Sequence, residues 1–145
     1  ALYDAILTGG NTVIDDNPRM NARVNFEVNQ PKKILLSKKN NFDMESNFFK
    51  NAEVTIIKET NIAKVINSIY ELDHCSVLVE AGPRLVNAFL KTGLVDELIE
   101  YKSSEPLGKN GVSWFSKNTT IENLGFKLES TCKIKSDVKN IYKKC

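Results

Sequence analysis

Val77-Leu78-Val79-Glu80-Ala81-Gly82-Pro83-Arg84-Leu85 is the stretch on which the reading of the fold turns. Val77, Leu78 and Val79 form a short continuous apolar run, the mark of a strand buried on both faces. Ala81 and Gly82 make a small-residue turn. Pro83 then suits the first position of a helix, where its missing N–H would lack a partner anyway. Leu85, Val86, Phe89 and Leu90 recur at helical spacing, and Gly93 closes the element. A strand that turns straight into a helix is half of a βαβ unit.

Working outward, the same grammar returns. Asp4 to Thr8 is an apolar run stopped by Gly9-Gly10, a buried strand entering a turn. Asn11 to Gln30 is polar, holds Pro18 and five Asn, and reads mostly as loop. Lys32 to Ser37 contains the strand-like run Ile34-Leu35-Leu36. Lys38 to Asn51 reads as surface, although Phe42, Phe48 and Phe49 must bury somewhere. Glu53 to Ile57 is β-branched and strand-like. Asn61 suits the cap of a helix running to about Leu72, with Ile62, Val65, Ile66 and Ile69 on one face. Asp96 to Tyr101 is again strand-like, and Gly108 to Asn118 is a loop around Trp114. Gly125 to Tyr142 reads as two strands with a turn near Ser136-Asp137. Buried strands alternating with amphipathic helices predict an α/β layer fold with a mainly parallel sheet, and the closing pair predicts an antiparallel hairpin at one edge.

Composition bounds the function. The chain has 145 residues, 41% hydrophobic and 26% charged, with a formal net charge of +2. That suits one globular domain and gives no electrostatic footprint for nucleic acid or an anionic membrane. No apolar run approaches the length of a bilayer span. Cys75, Cys132 and Cys145 are widely spaced and odd in number, so reduced thiols in a cytoplasmic setting are expected. With His74 as the only histidine, no metal site is expected. The chain opens at Ala1, without Met, directly before an apolar strand, as a piece of a longer protein would.

Of the 20 basic residues only three are arginine: Arg19, Arg23 and Arg84. A chain that otherwise uses Lys has kept the forked guanidinium in two segments, where it suits bidentate grip on phosphate or carboxylate. One segment is the strand–turn–helix above. Its helix start presents N–H groups and a positive dipole end to an anion, Gly82 admits close approach to the backbone, and Glu80 lies in the crevice at the carboxyl end of a strand. The other is Thr8 to Arg23, with Gly9-Gly10, Asp15-Asp16 and two arginines. It reads either as a phosphate-binding segment or as a solvated loop closed by local ion pairs.

Taken together the two segments resemble a known family. Asp4 to Val13 with Asp16-Asn17-Pro18-Arg19-Met20 resembles the signature DAILxGxxTVxxDDPxLxxR. Glu80 to Leu85 followed by Gly93-Leu94-Val95-Asp96-Glu97-Leu98, with Pro106-Leu107-Gly108 beyond, resembles the second signature of the same family. It is the reductase domain of bacterial riboflavin biosynthesis, similar in fold to dihydrofolate reductase. The resemblance runs the length of the chain and implies a single reductase domain over residues 1–145, three-layered, with a mostly parallel central sheet and an antiparallel C-terminal hairpin. It also implies that the family's first strand and helix precede the point where this chain begins. Asn17 stands where the family has the second Asp of a pair.

The implied activity is NADPH-dependent reduction of 5-amino-6-(5-phosphoribosylamino)uracil to the ribitylamino product. The alternatives are the related reductase acting on the diaminopyrimidinone phosphate, or a nucleotide-binding fragment without activity. Carried over position by position, the resemblance puts Thr12, Asp16 and Ser37 at NADPH. It puts Gly82, Pro83, Arg84, Leu85, Val86, Asn87 and Ala88 around the cofactor phosphates, although the family does not require Arg at position 84. Met20, Arg23 and Glu80 face the phosphorylated ribosylaminopyrimidine, Arg23 gripping its phosphate, and the carboxylates of Asp16 and Glu80 carry the catalytic role. A cytoplasmic homodimer is implied, with no metal, nucleic acid or membrane partner.

Overall fold

A computed structural model describes residues 2–109, 111–115 and 119–145. The elements follow as β1 (Ala5–Gly9), α1 (Gly10–Asp16), β2 (Lys32–Leu36), β3 (Val54–Ile57), α2 (Ile62–Tyr70), β4 (Val77–Val79), α3 (Pro83–Leu90), β5 (Glu97–Lys102), β6 (Phe126–Ile134) and β7 (Asp137–Lys144). The chain divides into two compact units, residues 1–86 and 87–145, and the division falls inside α3. The opening residue Ala1, and residues 110 and 116–118 of the expected loop around Trp114, lie outside the described residues.

The first unit is built on a parallel sheet of four strands in the order β3-β2-β1-β4. β1 pairs on both sides, Leu7 lying opposite Ile34 of β2 and Val79 of β4. That is why Ala5 to Thr8 is apolar with little alternation: all four residues are buried. α2 begins as expected, the Asn61 side chain accepting the Lys64 N–H at 3.3 Å. Val65 and Ile69 form its buried face.

One feature of this unit departs from the sequence reading. Residues 10–16 are helix, not loop. β1 runs through Gly9, and α1 follows without an intervening turn. At seven residues α1 cannot hold itself by propensity. It exists because Val13 is buried against Leu35, Phe48 and Phe49, a contribution of about 1.5–3 kcal/mol for a side chain of this kind. The three phenylalanines that had to tuck in therefore do so here, Phe42 packing at the edge of the same cluster. Lys33, the second residue of β2, is only 3% exposed. Its ammonium donates to the Phe48 carbonyl at 2.8 Å and lies over the Phe48 ring, and burial lowers its pKa.

The amino ends of β1 and β4 are stitched together by one carboxylate. Asp4 accepts from the Cys75 N–H at 3.0 Å, the Ser76 N–H at 2.9 Å and the Ser76 hydroxyl at 3.0 Å. The Ser76 hydroxyl accepts the Asp4 N–H in return. These bonds, that from the Ser76 hydroxyl foremost, hold the Asp4 pKa below the ordinary carboxylate value.

The second unit is a three-stranded antiparallel sheet in the order β5-β7-β6. The expected hairpin of β6 and β7 turns at Lys135-Ser136 and recruits β5 on its inner strand, so the hairpin is not a lone pair. Leu98 faces Tyr142 across the β5–β7 ladder, and Glu97 pairs with Lys143 at 2.7 Å. Tyr142 is buried and donates to Glu100, and both burial and that carboxylate raise its pKa. Only Phe126 of β6 is buried, which agrees with a solvated lysine-rich strand.

Because the folded-state pKa of Asp4 is depressed, its contribution to stability is present above the unfolded-state value near 3.8 and is lost as pH falls through the folded value. Asp4→Ala should lower the melting temperature at pH 7, and the gap to wild type should narrow as pH falls below about 4. Thermal melts across that range check it; a gap that stays constant with pH would contradict the clamp.

Candidate functional site

Parallel pairing aligns strand ends. Gly9 lies opposite Leu36, Leu36 opposite Ile57, and Leu7 opposite Val79, so β1, β2, β3 and β4 finish at one edge of the sheet. The residues that follow are brought together there: Gly10 after β1, Ser37 after β2 and Glu80 after β4. Ser37 N–H donates to the Ile57 carbonyl, and Glu80 N–H to the Leu7 carbonyl, which fixes both exits. This is the edge at which open α/β sheets accept ligands.

Gly10 and Gly82 are glycines for different reasons. A Cβ on Gly10 would lie 2.9 Å from Ser37 Cβ and 3.2 Å from Phe42 Cζ, so α1 sits close to β2 only because position 10 lacks a side chain. A Cβ on Gly82 would meet nothing within 4 Å, and its φ lies outside the left-handed region. Neither packing nor backbone angle demands glycine at 82. Its bareness leaves the start of α3 open to a ligand. There the N–H groups of Leu85 and Val86 turn to the Gly82 carbonyl, and Pro83 occupies the first helical position.

Thr12 and Asp16 lie on α1, Asp16 as its last residue, with Asp16 exposed. Asn17 ends the helix with φ 43, a conformation Asn tolerates better than most residues, and its N–H donates to the Val13 carbonyl. Met20 also has positive φ, 48, unusual for a bulky side chain and worth about 1–2 kcal/mol of strain. It is held by packing against the Val13–Phe48 cluster. Arg23 is exposed. The alternative of a loop closed by local ion pairs is not realised: among the described residues neither Arg19 nor Arg23 forms one. Glu80 and Arg84 are exposed, and Leu85 and Val86 are half-buried.

Asn87 and Ala88 continue α3 into the second unit. The Asn87 side-chain amide donates to the Trp114 carbonyl, which ties the loop around Trp114 to the helix. Trp114 and Phe115 stack on each other, ring centroids 3.7 Å apart.

Sequence reasoning missed Asn47, whose N–H donates to the Asn17 side chain at 2.8 Å. Thr8, which opens the second candidate segment, has a buried hydroxyl with no hydrogen-bond partner among the described residues. Asn47 gave no signal, lying in a lysine- and asparagine-rich stretch that reads as surface. Thr8 was visible as the one polar residue closing an apolar strand. Among the described residues no cluster of His, Cys, Asp and Glu can hold a metal ion, and no helix is long and apolar enough to cross a membrane.

A parallel sheet ending in two glycine-bearing strand–helix junctions defines an α/β domain of the open-sheet class. The sequence model of the RibD C-terminal domain matches residues 1–140, and the chain belongs to that family. The riboflavin biosynthesis protein RibD of Aquifex aeolicus is 28% identical over 72% of this chain and 36% of its own length. RibD of Acinetobacter baumannii superposes with a TM-score of 0.85 at 23% identity, over 98% of this chain and 47% of that one. The structure of a deaminase/5-amino-6-(5-phosphoribosylamino)uracil reductase from Thermotoga maritima superposes at 0.81 with 25% identity, over 99% and 46%. The chain thus spans less than half the length of these relatives.

The glycine contrast is testable by urea denaturation. Gly10→Ala should cost about 1–3 kcal/mol of stability, because a well-packed contact must open. Gly82→Ala should be neutral or stabilise by up to about 1 kcal/mol through the unfolded chain. Equal losses at both positions would contradict the assignment.

Proposed function

We propose that residues 1–145 act as one reductase domain in riboflavin biosynthesis, reducing 5-amino-6-(5-phosphoribosylamino)uracil with NADPH as part of a cytoplasmic homodimer. The observation that carries this reading is Gly82, a glycine kept at the start of α3 where neither fold nor packing asks for one. Membership of the RibD C-terminal domain family supports it, as do the names of the relatives.

In this reading Thr12, Asp16 and Ser37 hold NADPH, and the segment from Gly82 through Pro83, Arg84, Leu85, Val86 and Asn87 to Ala88 holds its phosphates. The bare Cβ position of Gly82 fits a bulky anion at a helix start. When bound, NADPH supplies the hydride that reduces C1′ of the opened ribosylamine. The remaining work belongs to the chain. Arg23 presents its forked guanidinium to the substrate phosphate and so fixes one end of the molecule. Met20 bounds the substrate from the α1 side. The carboxylates of Glu80 and Asp16 favour the cationic, protonated C=N form of the opened sugar, which is the form that accepts a hydride. Holding two ligands in contact supplies most of the rate, which is why no nucleophile is required.

The test follows NADPH oxidation at 340 nm with the natural full-length protein and the phosphorylated substrate. Arg23→Ala should raise the substrate KM by about tenfold or more, the loss expected for a charged hydrogen bond, and leave the NADPH KM within about twofold. Gly82→Ala should do the reverse. An unchanged substrate KM in Arg23→Ala would remove that residue from the phosphate site, and wild-type protein that never oxidises NADPH would overturn the reading.

A further inference from the structure

The excursion between β2 and β3 touches α1 at three points. At its start, Lys39 Nζ donates to Asn11 Oδ1 at 2.9 Å. In its middle, Phe48 and Phe49 pack on Val13. At the exit of the helix, Asn47 donates twice to Asn17: its N–H to Asn17 Oδ1 at 2.8 Å, and its side-chain amide to the Asn17 carbonyl at 3.3 Å. A seven-residue helix has too few internal bonds to fix its own direction, so these contacts set where it points. The exit matters most. Asn17 is in the left-handed conformation, and its neighbours before and after are Asp16 and the Pro18–Met20 segment.

We infer that the Asn17–Asn47 pair is a positioning device, which fixes the exit of α1 and thereby aims Asp16 and the segment through Met20 at the ligands. The inference rests on the reading of Asp16, Met20 and Arg23 given above. It assigns a task to a segment whose composition marks it only as surface, and it makes the side-chain oxygen of Asn17, rather than a charge, the feature required at that position. Neither asparagine touches a ligand in this account; both act through their neighbours.

Three variants separate the bond from the backbone. Asn17→Gly keeps the left-handed conformation and removes the acceptor. Asn17→Asp keeps the acceptor oxygen and also tolerates positive φ. Asn47→Ala removes the side-chain donor and leaves the backbone bond. In the natural full-length protein, amide hydrogen exchange should speed up across residues 12–20 and at Asn47 in Asn17→Gly, remain as wild type elsewhere, and return to wild type throughout in Asn17→Asp. NADPH oxidation should show a fall in kcat of about tenfold in Asn17→Gly, the order expected for a reacting group held slightly out of place, a smaller fall in Asn47→Ala, and near-complete rescue in Asn17→Asp. Unchanged exchange across residues 12–20 in Asn17→Gly overturns the inference whatever the activity. Faster exchange with full wild-type kcat overturns it as well, because the segment would then be loosened without consequence. If wild-type protein has no reductase activity the functional reading fails, and the exchange pattern alone decides whether the pair fixes the exit of α1.

Discussion

The pairing of β1 on both of its edges is the constraint from which the rest of the first unit follows. A strand flanked in parallel by β2 and β4 has no solvent edge, and this one has covered faces as well, so Ala5 to Thr8 had to be almost wholly apolar. Parallel neighbours also finish at the same edge. Gly9-Gly10, Ser37 and Glu80 are therefore gathered by register, though the first and last are separated by some 70 residues of sequence. The Asp4 carboxylate secures this arrangement from the opposite end of the sheet, where three donors converge on one oxygen.

Glycine illustrates how the same residue serves two ends. Gly10 is a packing glycine, since α1 cannot approach Ser37 with a Cβ in the way. Gly82 has no such neighbour. Only the second is left without a packing reason, and it stands where a helix start meets the carboxyl edge of the sheet. The distinction is invisible in sequence, where both read as small residues after a strand.

Much of the fold was nevertheless legible. The Val77–Leu85 stretch declared its strand, turn and helix through local chemistry, as did the Asn61 cap and the two closing strands. What escaped was long-range. α1 was hidden because its stability comes from Phe48 and Phe49, far along the chain, while its own residues are mostly polar. Nothing local marks Lys33 for burial; its carbonyl partner at Phe48, fifteen residues on, makes that burial tolerable. The candidate site divides in the same way. Glu80, Gly82 and Arg23 stood out by type and position, whereas Asn47 meets Asn17 through two donated bonds that no pattern announces.

On the reading proposed above, the bare start of α3, at the carboxyl edge of the parallel sheet, receives a dinucleotide. The most direct measurement is a crystal structure of the natural full-length protein grown with NADPH. The account predicts the diphosphate seated against Gly82 and the first turn of α3, with the adenosine and nicotinamide halves reaching toward α1 and Ser37. A well-ordered NADPH bound elsewhere, with Gly82 facing solvent, would contradict it.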